Sequence, residues 1–163
     1  MGTYKEINGD LISLTKEGMF DVIAHGCNCF CNMGAGIAVP MNKNFGCGNF
    51  KMEDPETMGD INKLGLIDIG VFYLSDKNNP GEVKVVNIVN AYTQYIPAAH
   101  LKPVDYEAIT LCMRKINHKF KGKHVGLPKI GAGLAGGDWN RIKGIIQQEL
   151  KDCDVTVVIF DKK

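Results

Sequence analysis

Hydrophobic and polar positions change period several times along the chain, and each change marks an element. Asp21-Val22-Ile23-Ala24-His25 is a short apolar run that breaks into a Gly/Cys/Asn segment, which predicts a buried strand ending at a loop. Ile37 to Asn44 follows a pair of glycines and reads as a helix. Pro40 is compatible with its first turn, where backbone N–H groups lack intrahelical partners. Asp54-Pro55-Glu56 offers an N-cap, a proline at the first helical position and an acid near the positive end of the dipole. A short helix is therefore predicted towards Leu64, ended by Gly65. Leu66 to Leu74 and Val83 to Val89 are β-rich, and the turn-forming Asp76–Gly81 between them predicts neighbouring strands. From Asp105 to Phe120, a stripe of Ile109, Cys112, Met113, Ile116 and Phe120 recurs at helical spacing. Ile142, Ile145, Ile146 and Leu150 do the same between Trp139 and Leu150. His124 to Leu127 is a short strand, and Val155 to Phe160 is apolar enough to lie buried on both faces. Strands alternating with helices, with no repeat or linker, predict one α/β domain over residues 1–163 with a mixed, mostly parallel sheet.

Composition narrows the class. The chain has 163 residues, 45% hydrophobic and 23% charged, enough for one core that buries about 70% of the unfolded surface. The net charge of +1 argues against disorder and against a general nucleic-acid binder, which carries a basic face. No apolar run approaches the roughly 20 residues of a membrane helix, so no membrane association is expected. The opening MGTYKEINGD has no cationic stretch followed by an apolar one, so no secretory leader is expected. Six cysteines then read as reduced thiols, and a cytoplasmic location follows.

Two glycine-rich loops carry the candidate chemistry, each between a strand and a helix. They are Met33-Gly34-Ala35-Gly36-Ile37-Ala38 and Ile130-Gly131-Ala132-Gly133-Leu134-Ala135-Gly136-Gly137. Missing Cβ atoms let backbone N–H groups approach an anion, and the following helix adds a favourable dipole. Two such loops suit the two phosphates of a diphosphate; the plainer alternative is a pair of tight strand–helix turns. The second loop also matches the dinucleotide fingerprint, with Asp161 about 25 residues on, but only one strand follows it. His25, Cys27, Cys29 and Cys31 form an H-x-C-x-C-x-C string whose strict alternation suits one tetrahedral ion poorly, so no metal is expected. His25 ends a strand where α/β sheets bind ligands. Asn28 and Asn90 end strands too, as ligand contacts or as self-bonded bends. Asp138 precedes a helix as N-cap, proton carrier or both. Asp10 reads as a turn acid and Phe160 as core.

Four stretches, in order, resemble the macrodomain family across essentially the whole chain. They are Gly9-Asp10-Leu11; Ala24-His25-Gly26-Cys27-Asn28-Cys29 through Met33–Ala38; Leu127-Pro128-Lys129-Ile130-Gly131-Ala132-Gly133-Leu134 with the following Trp139; and Val158-Ile159-Phe160-Asp161. The second stretch best resembles the branch of ADP-ribose-1''-phosphate phosphatases and terminal ADP-ribose hydrolases. The resemblance implies a three-layer α/β/α fold that binds ADP-ribose or a derivative, without cofactor or metal. Adenine is then expected near Asp10, Leu11 and Phe160. The diphosphate is expected on Gly34, Ala35, Gly36, Ile37 and Ala38 and on Gly131, Ala132, Gly133, Leu134 and Ala135, with the distal ribose towards His25 and Asn28. Ala35, where many relatives have glycine, and Pro40 depart from the family pattern. A sister branch uses a lysine at a strand end and an aspartate in the second loop, and those places align with Asn90 and Ala135 here.

The main expectation is a phosphatase that removes the 1''-phosphate of ADP-ribose 1''-phosphate. His25 would be nucleophile or general base, Asn28 would orient ribose or water, and Asp138 would carry a proton. The alternatives are a hydrolase that removes ADP-ribose from protein or nucleic acid or deacylates O-acyl-ADP-ribose, and a reader that binds ADP-ribose without turnover. Nucleic acid is a partner only when ADP-ribosylated, and a monomer is expected.

Overall fold

The computed structural model describes residues 2–160 except 134. Six strands form one sheet in the order β1-β6-β5-β2-β4-β3. The strands are β1 (Tyr4–Asn8), β2 (Val22–Asn28), β3 (Ile67–Ser75), β4 (Val83–Gln94), β5 (His124–Leu127) and β6 (Asp154–Ile159). Every pairing is parallel except β3 with β4, where the Asp76–Gly81 turn lets the chain return antiparallel. The helices are α1 (Leu11–Lys16), α2 (Ala38–Phe45), α3 (Tyr106–Lys119) and α4 (Trp139–Glu149).

Alternation along the strands feeds two cores. Val22 and Ala24 of β2 and Val89 and Ala91 of β4 face Ile109, Met113, Ile142 and Ile146 of α3 and α4. Ile23 and Ile88 face the opposite side, with Leu11 of α1, Met41 and Phe45 of α2 and the aromatic Phe20. The result is the expected three-layer α/β/α architecture. Each fully buried Ile or Leu of these layers contributes about 1.5–3 kcal/mol of transfer free energy, which fixes the helices on the sheet. Asp105 and Asp138 start α3 and α4 by accepting from the amides of Ala108 and Asn140, at 3.0 Å each.

Three expectations are corrected. The helix predicted from Asp54 to Leu64 is two separate 3-10 turns, Pro55–Thr57 and Ile61–Lys63. Gly59 between them has φ +82°, and Met58 and Ile61 are exposed, so no apolar stripe holds a continuous helix there. The amino-terminal β1 and α1 were not anticipated. Strand β4 runs on to Gln94, four residues beyond Asn90. No helix among the described residues is long and apolar enough to cross a membrane.

Candidate functional site

The carboxyl ends of β2, β4, β5 and β6 open into one cleft of about 1110 Å³, at the edge where ligands bind in such sheets. Gly26 forms part of its floor. A Cβ there would stand 2.7 Å from Thr93 Oγ1, so only glycine lets the strands close up beneath the cleft. After β2 the backbone is shaped by asparagines. Asn28 Oδ1 accepts from the Phe30 amide at 2.9 Å, its Nδ2 donates to the Asn32 carbonyl at 2.7 Å, and Asn32 Oδ1 accepts from the Gly34 amide at 2.9 Å. Gly36 then turns with φ +62° into α2. The cap residue of α2, Ile37, supplies no side-chain hydrogen bond. Among the described residues the amides of Gly36, Ile37 and Ala38 have no protein acceptor, so they face the cleft as donors at a helix N-terminus.

The second loop leaves β5 through Pro128 and turns at Gly131, φ +76°, whose carbonyl accepts from the Gly137 amide at 2.8 Å. Lys16 and Lys129 add positive charge to the same cleft. Asp10 caps α1, accepting from the amides of Ile12 at 2.9 Å and Ser13 at 3.4 Å. Both bonds use Oδ1, which leaves Oδ2 for a ligand. Phe160 is 62% exposed against the cleft rather than core.

Most of the predicted binding residues converge here: Asp10, Leu11 and Phe160, the first loop from Gly34 to Ala38, and Gly131, Gly133 and Ala135 of the second. Ala132 packs instead against the core under α3 and α4, and Leu134 lies outside the described residues. Of the three residues expected to carry chemistry, only Asn28 lines the cleft, and its amide is committed to the loop. Asp138 caps α4 away from it, with its own amide donating to the Tyr106 hydroxyl at 2.9 Å. His25 corrects the catalytic expectation most directly. It is fully buried on the α2 side of the sheet and has no face to the cleft.

A polar layer surrounds that histidine. Asn90, its cross-strand partner, donates from Nδ2 to the Cys47 carbonyl at 3.0 Å and presents Oδ1 to His25 Nε2 at 2.7 Å. The amide's orientation makes Nε2 the donor and leaves Nδ1 buried without a partner among the described residues. Burial lowers the His25 pKa to about 4, the Asn90 bond opposing the shift, so the ring is neutral. Cys27 and Cys47 each place Sγ 3.5 Å from Nε2. Further along the same face Tyr92 donates to the buried Glu53 at 2.6 Å, and burial raises the Glu53 pKa. No group of three or more His, Cys, Asp or Glu side chains among the described residues is arranged to hold a metal ion.

Among the cleft residues that escaped the sequence reading are Lys16, Asn32, Gln94 and Lys129. The signal for Gln94 was present, since apolar residues continue through Ala91 and Tyr92 and carry β4 past Asn90. The strand-end residue in the cleft is therefore Gln94, with Nε2 donating to the Ile96 carbonyl at 2.8 Å.

No family model matches the chain. It is 31% identical over 165 residues to an uncharacterized 17.5 kDa protein of Enterobacteria phage T4, covering 96% of each. It is 26% identical over 161 residues to the human ADP-ribose glycohydrolase OARD1, covering 94% of this chain and 88% of the human protein. The solved macrodomain of Thermus aquaticus DarG superposes with a TM-score of 0.68 at 20% identity, over 99% of this chain and all of that one.

Proposed function

Because the chain belongs to the macrodomain family, we propose that its cleft binds ADP-ribose and that it is a hydrolase removing ADP-ribose from a modified macromolecule. The observation that carries this reading is the cleft itself, where the free amides of Gly36 to Ala38, the second glycine loop and the side chains of Lys16 and Lys129 surround one ligand-sized space. The activity in the name of the human relative agrees with it. In this reading the free Oδ2 of Asp10 accepts from the adenine amino group and Phe160 stacks on the base. The amides of Gly36 to Ala38 and the second loop hold the diphosphate.

The distal ribose then reaches the ends of β2 and β4. Cleavage of a glycosidic link to the distal ribose builds positive charge at the anomeric carbon, which a diphosphate held nearby stabilises. Gln94 Oε1 has no protein partner among the described residues and can accept from the attacking water or a ribose hydroxyl. The phosphatase reading needed a nucleophile in line with phosphorus, and His25 cannot serve from behind the floor. One observation favours the reader alternative: Asn90 and Ala135, which align with the sister branch's lysine and aspartate, are uncharged, and so is Gln94, which takes the strand-end place in the cleft. A cytoplasmic monomer belongs to the same proposal, and six unpaired cysteines suit a reducing compartment.

The test incubates purified protein with an ester-linked ADP-ribosylated protein and, separately, with ADP-ribose 1''-phosphate, and measures ADP-ribose affinity on the same sample. Release of ADP-ribose from the protein supports the proposal. Phosphate release alone would replace it with the phosphatase, and binding without either product would make the protein a reader.

A further inference from the structure

Cys31 stands apart from the other five cysteines. Those five are buried, and burial pushes the thiol pKa values of Cys29 and Cys47 up to about 11 and that of Cys112 to about 12. Cys31 is half-buried and therefore reachable by a small reagent. It also holds a left-handed backbone with φ +56°, rare for a residue with a side chain and a mark of local constraint. What faces it is a lysine that the fold has taken out of water. Lys63 is only 4% exposed, and its Nζ donates to Cys31 Sγ at 3.4 Å. The ion pairs among the described residues join Lys84, Arg114 and Lys143 to acids; none includes Lys63. Its neighbours include the Tyr92 ring, 5.9 Å away, and beyond it the buried Glu53, which feels the lysine's charge but takes its hydrogen bond from Tyr92. A buried amine directed at a weakly accepting sulfur satisfies little of its hydrogen-bonding capacity, and no contact ion pair among the described residues compensates it.

We propose that Cys31 and Lys63 are a redox-sensitive pair that closes to a covalent Nζ–Sγ sulfenamide when the protein meets a peroxide. In the first step the Cys31 sulfur takes one peroxide oxygen and the O–O bond breaks. The other oxygen leaves with the thiol proton, as water from hydrogen peroxide, and Cys31 becomes a sulfenic acid. Sulfur has lost two electrons and the peroxide has gained them. In the second step Lys63, as the free amine, forms the N–S bond while the S–O bond breaks, and the hydroxyl departs with a nitrogen proton as water. A thiol attacks the sulfur, releasing the amine and leaving a mixed disulfide on Cys31, and a second thiol opens that disulfide to restore the cysteine. The closed form ties the root of the first cleft loop, one residue before Asn32, to the turn Ile61–Lys63. The inference does not depend on which ligand the cleft takes.

The experiment treats the whole protein with hydrogen peroxide, digests it without reductant and maps the peptides by mass spectrometry. The expected product joins the Cys31 peptide to the Lys63 peptide, two hydrogens lighter than their sum, and dithiothreitol separates them. Cys31→Ser abolishes it. Lys63→Arg abolishes it too but leaves a sulfenic acid on Cys31 that dimedone traps. Should Lys63→Arg not fold, the wild-type map decides alone. Cys31 accumulating as a sulfenic or higher acid with no linked peptide would overturn the proposal, as would oxidation of a buried cysteine ahead of Cys31.

Discussion

His25 offers the sharpest test, because a catalytic base and a sealed structural histidine respond to pH in opposite ways. Burial lowers its pKa in the fold from 6.5 to about 4. Above pH 6.5 both folded and unfolded chains carry the neutral ring, and stability does not depend on this group. As pH falls below 6.5 the unfolded chain binds a proton that the fold refuses until about pH 4, so stability drains across that window. Each tenfold difference in proton affinity between the two states is worth about 1.4 kcal/mol. At pH 5 the loss therefore amounts to about 2 kcal/mol, and it approaches roughly 3 kcal/mol lower down. Glu53 works the other way, since its raised pKa favours the fold as pH falls, and exposed carboxylates add their own slopes. Comparison with His25→Gln cancels those contributions. Urea unfolding at pH 7 and pH 5 should show wild type losing about 2 kcal/mol more than the variant over this interval. The imidazole in the folded protein should remain the Nε2–H neutral tautomer at pH 5 by NMR. Equal losses in the two proteins, or a folded imidazole that titrates near 6.5, would mean that the ring meets solvent. That result would restore His25 as a candidate for chemistry.

Other substitutions separate binding from folding. Asp10→Asn keeps an acceptor for the amides of Ile12 and Ser13, so stability should hold within about 0.5 kcal/mol while ADP-ribose affinity falls roughly tenfold by calorimetry. Asp10→Ala should lose the cap as well, at about 1 kcal/mol in chemical denaturation. Phe160→Ala removes an exposed ring and should weaken ADP-ribose binding by about 1–3 kcal/mol of stacking with no change in melting temperature. Gly131→Ala places a Cβ 2.9 Å from Val104 Cγ2 and 3.0 Å from Ile109 Cδ1 at φ +76°. It should cost about 2 kcal/mol and lower the melting temperature by roughly 6 °C.

What the chain disclosed and what it withheld divide along a physical line. Long helices with one apolar stripe, α3 and α4, were legible because burial of that stripe dominates their energy, and β6 because its run is apolar on both faces. Strand β1 was not, because Tyr-Lys-Glu-Ile-Asn at a sheet edge buries little and pairs only through β6. Helix α1 is six residues long and exists through its Asp10 cap and a few buried side chains, too short for periodicity to announce. At the site, backbone chemistry was legible and side-chain direction was not. Glycines signal close approach wherever they fall, so both loops were found. A strand, by contrast, turns each neighbour to the opposite face, and the sequence does not say which face meets the cleft. Ile23 and His25 share a face with Ile88 and Asn90, on the α2 side. Alternation from the apolar pair therefore sends the histidine under the floor and into the Asn90 bond. Alternation alone, carried from Asn90 four residues along β4, would return Gln94 to the His25 face; the register shift that pairs Asn28 with Gln94 and skips Thr93 turns it into the cleft instead. The strand-end residue with access to a ligand is thus decided by a bulge in the pairing of β4 with β2, and not by the residue itself.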